Sequence, residues 1–164
     1  MNRGLPARPA HRPVRAFRLP VRADYAIRAL SALATAERPV TCLHIAQAQD
    51  IPIAYLRVIM RDLLRADLVR STRGRGGGYM LGRPAVDLSL ATIVQSVGVS
   101  VGRMGGLGPP PGERPGSIAA HVRELWLVLN DAVQTVLSQV TLAHLLQGQL
   151  RAAVVLPTAI QHTE

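Results

Sequence analysis

The stretch LVRSTRGRGGGYMLG, residues 68–82, admits few conformations. Two short β-prone runs flank a tip made of arginine and glycine. Glycine reaches positive φ without steric cost, so such a tip closes two strands into a hairpin. A phosphate-cradling loop is the rival reading. It requires a G-x-x-x-x-G-K-[ST] segment leading from a strand into a helix, and the chain offers neither.

What precedes the hairpin gives it a role. Tyr25, Ala26, Ala29, Leu30 and Leu33 recur at helical spacing, which predicts a first helix from about Arg22 that closes near Glu37-Arg38-Pro39. Thr41 is placed to cap a short helix, CLHIAQAQD, with Leu43, Ile45 and Ala46 facing inward. Asp50-Ile51-Pro52 breaks the chain, and Pro52 suits the first position of the next helix. In that helix Ile53, Leu56, Ile59, Met60, Leu63 and Leu64 form an apolar stripe, and Arg57, Arg61 and Arg65 form a basic one. A short helix, a tight turn and an arginine-striped helix make a helix-turn-helix, and a hairpin directly after it is a wing. By itself a charged row is usually the solvated face of a helix. Arg73 and Arg75 at the wing tip are suited to a narrow minor groove, where negative potential concentrates.

After the wing, Ser89 is placed to cap a short helix, LATIVQSVG, expected to pack back on the first. Residues 99–117 are rich in Gly and Pro and read as a flexible loop. Residues 118–147 then read as one helix of about thirty residues, roughly 45 Å long. Ile118, Val122, Leu125, Leu129, Ala132 and Val136 alternate steps of four and three, the spacing of a seam against a partner helix. Leu127, Val128, Val133, Leu137 and Val140 widen the apolar face, which favours a two-fold dimer over packing on its own small domain. The expected fold is mainly α with a small β wing: a winged helix-turn-helix domain over residues 17–98 and a long C-terminal dimerisation helix. Residues 1–16, rich in Pro and Arg, read as a disordered basic arm, and 148–164 as a C-terminal tail.

Charge and cysteine content narrow the function. The 164 residues carry a formal charge of +9, and all 19 basic residues are arginine. That surplus favours a polyanionic partner. Cys42 is the single cysteine, so an intramolecular disulfide and a thiolate zinc site are excluded. The sequence shows neither a membrane-length apolar run nor a secretory signal, so a cytoplasmic protein is the expectation. His11, His44, His121, His144 and His162 show no metal-ligand spacing, and no nucleophile–base pairing stands out. No catalytic site, metal or cofactor is expected.

RADYAIRALSALA, IPIAYLRVIMRDLLRADLVRSTRGRGGGYML and ELWLVLNDAVQTVLSQVTLAHL resemble, in order and spacing, the Rrf2 family of bacterial winged-helix transcription regulators. The resemblance spans about residues 17–147. Its most specific pieces are the wing motif RGxxGGY and the V-T-L-A-x-L run near residue 140. It implies a homodimer on a palindromic operator in double-stranded DNA, with one helix in the major groove, the wing along the minor groove and a long helix crossing between subunits. It further implies that Tyr55 and Arg57 contact DNA from the start of the recognition helix and Arg73 from the wing. With the arginine stripe and the glycine tip, the candidate contact set is Pro52, Ala54, Tyr55, Arg57, Arg61, Arg73, Arg75, Gly76 and Gly77.

Two departures matter. The iron–sulfur branch of the family carries glutamate where this chain has Arg57, which favours guanine or phosphate instead. Many members also hold a cluster on three cysteines in the loop before the long helix, but here VGRMGGLGPPPGERPGSIAAH contains none. His121 and Asp24 fall near positions that ligate in some relatives; without thiolates His121 reads as a surface residue and Asp24 as a cap on the first helix. Cys42 reads as a small half-buried residue, with a redox switch as the alternative. An effector or protein partner for residues 99–117 is left open. The expected function is a cluster-free, dimeric DNA-binding regulator, with repression the expected direction. The alternative is a protein-interaction module descended from such a regulator that has lost specific DNA binding.

Overall fold

A computed structural model of the chain describes residues 19–99 and 116–155. The basic arm, most of the Gly/Pro-rich loop and the last part of the tail lie outside the described residues. Helix α1 spans Val21–Ala34, α2 Cys42–Ala48 and α3 Ile53–Arg65. Strands β1 (Val69–Thr72) and β2 (Gly78–Leu81) follow, then a 3-10 turn at Ala85–Asp87, α4 (Leu90–Ser96), α5 (Ile118–Gln139) and α6 (Leu142–Leu146). The mainly helical fold with a two-stranded wing is as expected.

Helix α1 starts after Pro20, whose carbonyl accepts from Ala23 N at 2.8 Å and Asp24 N at 3.1 Å. Asp24 is therefore not the cap. It sits within the first turn and pairs with Arg28 one turn on, at 3.4 Å. Buried Ala23, Ala26 and Ala29 let α1 run close to its neighbours, with Ile27, Leu30 and Leu33 filling the core between them. The helix ends at Ala34, short of the Glu37-Arg38-Pro39 break.

Thr41 caps α2 as expected, its side-chain oxygen accepting from His44 N at 3.2 Å. Ile45 and Ala46 are buried, but Leu43 is 57% exposed, because a helix of 7 residues turns only one narrow face inward. Asp50 takes φ +50°, a conformation Asp tolerates, and the turn buries Ile51. Pro52 lies one position before α3, its carbonyl accepting from Tyr55 N at 3.0 Å and Leu56 N at 2.9 Å. Leu56, Ile59, Met60 and Leu63 are fully buried beneath the exposed face of α3. At its far end Asp67 takes φ +55° and Leu68 N donates to Leu63 O at 3.0 Å, a left-handed stop that drops Leu68 into the core.

The wing is antiparallel, with Val69 opposite Leu81 and Thr72 opposite Gly78. One further residue bridges to it. Val40 exchanges both backbone hydrogen bonds with Tyr79, at 2.9 and 2.8 Å, and a Cβ on Gly78 would lie 2.7 Å from the Val40 backbone. Gly78 therefore serves the close approach of Val40 rather than the tip.

The largest difference from the sequence reading lies in the long helix. It is not continuous over 118–147: α5 has 22 residues and stops at Gln139. Val140 is extended, and Thr141 caps α6 in a capping box with His144, whose Nδ1 accepts from Thr141 N at 3.2 Å. The break is held from outside the helix. Leu90 N donates to Val140 O and Leu142 N to Leu88 O, each at 2.8 Å, so that Ser89 and Thr141 bridge side by side. Ser89 at the same time caps α4, as expected, which packs on α1 and α5. Beyond α6 the Gln139 side-chain amide binds the Val155 backbone twice, at 2.7 and 3.1 Å, and holds Val155 beside α5.

The seam of α5 divides accordingly. Val133, Val136, Leu137 and Val140 pack into the chain's own core, whereas Ile118, Val122, Leu125, Trp126, Leu127, Val128 and Leu129 are exposed. Among the described residues no helix is long and apolar enough to cross a membrane.

Candidate nucleic-acid interface

The nine candidate residues form two groups. Pro52, Ala54, Tyr55, Arg57 and Arg61 occupy the entry and outer surface of α3, all exposed. Ala54, Arg57 and Arg61 follow at steps of three and four, so they share the face opposite buried Leu56 and Leu63. Arg73, Arg75 and Gly76 are exposed at the wing tip, and Gly77 is half-buried beneath it. The tip is a tight turn in which Gly77 N donates to Gly74 O at 2.9 Å. Gly74 and Gly76 take φ +101° and +82°, the positive values that a hairpin tip between two arginines demands.

Electrostatics separate the α3 arginines. Arg65 donates to Asp62 at 3.1 Å, and Asp62 also binds Arg22 of α1, so the last residue of the stripe shares its carboxylate partner with α1. Arg57, Arg61, Arg73 and Arg75 have no carboxylate partner among the described residues. Asp62, the single acid in α3, points toward α1 and is largely covered. What remains is an exposed, uncompensated positive surface on one helix face and one hairpin tip. Such a surface fits the regular phosphates and guanine edges of duplex DNA.

Sequence reasoning missed two contributors. Tyr25 on α1 meets Tyr55 edge to face, with ring centroids 5.8 Å apart, and the Arg28 guanidinium lies 5.7 Å from the Tyr25 centroid. Tyr25 was legible as a residue on an apolar helix face, but no local spacing links it to Tyr55. Val40, which bridges to β2 at Tyr79, follows Pro39 in what reads as a plain connection.

Comparison with known proteins agrees with this geometry. The model of the Rrf2 family, described as iron-dependent transcriptional regulators, matches residues 19–148. The HTH-type transcriptional regulator Rv1287 of Mycobacterium tuberculosis is 35% identical over 138 residues, covering 82% of this chain and 84% of the relative. The regulator IscR of Cereibacter sphaeroides is 32% identical over 149 residues, covering 86% and 94%. Among solved structures, CymR, the global cysteine regulator of B. subtilis, superposes with a TM-score of 0.68 at 28% identity, covering 80% of this chain and 98% of that one. IscR of T. potens gives 0.65 at 26% identity, covering 85% and 93%.

The family description raises the question of iron, and the donors here do not fit a cluster. Thiolates hold such clusters, and the one cysteine, Cys42, begins α2, where burial pushes its thiol up and the Arg57 charge opposes this more weakly. Asp24 is engaged by Arg28, and His121 is exposed on α5. Among the described residues no three His, Cys, Asp or Glu side chains gather to hold a metal. In sequence, in fold and in the helix-turn-helix and wing that carry its arginines, the chain belongs to the Rrf2 family of transcriptional regulators.

Proposed function

We propose that the protein is a homodimeric, sequence-specific DNA-binding repressor that works without an iron–sulfur cluster. The observation that carries this reading is the unpaired set Arg57, Arg61, Arg73 and Arg75, exposed on the outer face of α3 and the wing tip. In it α3 enters the major groove, where Tyr55 and Arg57 reach base edges, a forked guanidinium matching guanine O6 and N7. Pro52 and Ala54 let the helix start approach the groove floor, and Arg61 takes a phosphate. Arg73 and Arg75 enter the minor groove, with the Gly76-Gly77 backbone close to the sugar–phosphate chain.

Dimerisation is supported by the exposed half of α5. Ile118 and Leu125 are 77% and 55% exposed, and with Val122 and Leu129 they form one apolar line that the other described residues leave largely uncovered. A second copy covers that line by two-fold symmetry and presents two α3 helices to successive major grooves.

The test is selection of random duplex DNA by purified, reduced, metal-free protein. Recovery of a palindrome with half-sites about one helical turn apart supports the reading. Uniform retention of all sequences refutes specific recognition and favours a basic protein-interaction module. Repression itself is read by placing the recovered palindrome over a promoter in a reconstituted transcription assay. Added protein is expected to lower transcript yield.

A further inference from the structure

Building on the assignment of Tyr55 to base recognition, we infer that Tyr25 of α1 is a positioning residue that sets the orientation of Tyr55 on the DNA-facing side of α3. Tyr55 stands in the first turn of α3 and is 38% exposed, so its own helix does little to fix its ring. Tyr25 supplies the missing wall. The two rings lie at 77° with centroids 5.8 Å apart, an edge-to-face contact that sets the positive rim of one ring against the negative face of the other.

Tyr25 is itself held. It packs against the hydrophobic core, and the Arg28 guanidinium, paired with Asp24, lies 5.7 Å from its ring centroid. The ion pair between Arg22 and Asp62 ties the start of α1 to α3, so the two tyrosines keep their relative position. Residues 22–28 of α1 thus form a buttress that reaches the DNA-facing side through one aromatic contact. Orientation of a recognising side chain converts directly into discrimination, because a wrongly set ring loses its base contact and keeps the phosphate contacts around it.

The experiment uses the full chain and the duplex recovered by random selection, compared with a duplex of random sequence. Y25L is expected to lose about tenfold in affinity for the selected duplex, in the range of coupled neighbouring side chains, and little for the random one. Y25F keeps the ring and is expected to bind like the parent. In the Y55A background, Y25L is expected to cost nothing further. Losses that add, or that fall equally on both duplexes, overturn the inference, as does parental binding by Y25L.

Since Tyr25 packs on the core, Y25M serves as a second variant that fills the space without a ring. In chain labelled with 3-fluorotyrosine, Y25M is expected to move the fluorine resonance of Tyr55 before DNA is added. An unmoved resonance overturns the inference whatever the binding shows. Y55A that binds the selected duplex normally removes Tyr55 from the recognition surface, and the inference falls with it. Y55A that binds poorly beside a neutral Y25M overturns the role of Tyr25 alone.

Discussion

Arg65 and Asp62 share the last turn of α3 at 3.1 Å, and Asp62 reaches Arg22 of α1 at the same time. A row of three arginines in the sequence is therefore two arginines without a carboxylate partner among the described residues, Arg57 and Arg61, and a third, Arg65, that pairs with Asp62, the residue that fastens α3 onto α1 through Arg22. That division leaves the unpaired charge along the exposed face of α3 from Arg57 to Arg61, with Tyr55 just before it.

Arg57→Ala is expected to cost about 1–3 kcal/mol on the selected duplex and to relax preference at one base position, the signature of a lost bidentate contact. Arg65→Ala, by contrast, is expected to leave that preference unchanged. Competition binding against single-base variants of the duplex checks both. Equal losses for the two variants contradict the division of the stripe.

At the wing, Arg73→Ala is expected to weaken binding to selected and random duplexes alike and to lower the slope of log K against log[salt] by about one unit. A titration series in salt provides the measurement. An unaltered slope places Arg73 away from the phosphates.

Gly78→Ala forces a methyl group onto the Val40 backbone, where the Cβ would stand 2.7 Å away. The expected result is a destabilisation of about 1–3 kcal/mol with faster hydrogen exchange at the Val40 and Tyr79 amides. Denaturation and exchange measured on the same variant check it. Unchanged protection at Val40 counts against the bridge between Val40 and Tyr79.

Leu125→Glu places a charge in the exposed line of α5. Self-association is expected to weaken by about 2 kcal/mol or more, with the thermal midpoint of the winged domain little changed. Sedimentation equilibrium reads the first and calorimetry the second. A variant that stays dimeric moves the interface elsewhere.

Cys42 is expected to alkylate more slowly than a free thiol at pH 7. Burial favours its protonated form, so thiolate appears only at higher pH, with Arg57 limiting the shift. The rate of alkylation against pH checks the direction. A thiol that reacts faster than a free one reopens Cys42 as a switch.

Local signals located most of the winged domain. Thr41 and Ser89 are side-chain caps, Asp50 and Pro52 punctuate, and the apolar period of α3 is clean, because each depends on neighbours in sequence. The failures share the opposite character. Val140 and Thr141 continue an apolar spacing that a helix would accept, and only the backbone of Leu88 and Leu90, far away in the chain, draws them into an extended bridge. Asp24 resembles a cap by residue type, but Pro20 begins the helix earlier. Leu43 looks like core until the shortness of α2 leaves it outside. In the candidate interface, the arginine stripe and the arginine–glycine tip show in residue type and spacing and the contact role of Tyr55 comes with the family resemblance, whereas the pairing of Arg65 with Asp62 and the wall behind Tyr55 show only in the folded chain.

The bridge between Ser89 and Thr141 has a mechanical consequence. Helix α5 is anchored at its C-terminal end, where Leu137 and Val140 are buried, and it projects as a cantilever toward exposed Ile118. Its bearing relative to the winged domain is set at the anchored end, by a clamp of two backbone hydrogen bonds and by the packing of α5 on α4. Disturbing the clamp therefore swings the whole lever. In the proposed dimer, a few degrees at the root become ångströms at the tip, so residues 88–90 and 140–142 are where the spacing of its two α3 helices would be tuned.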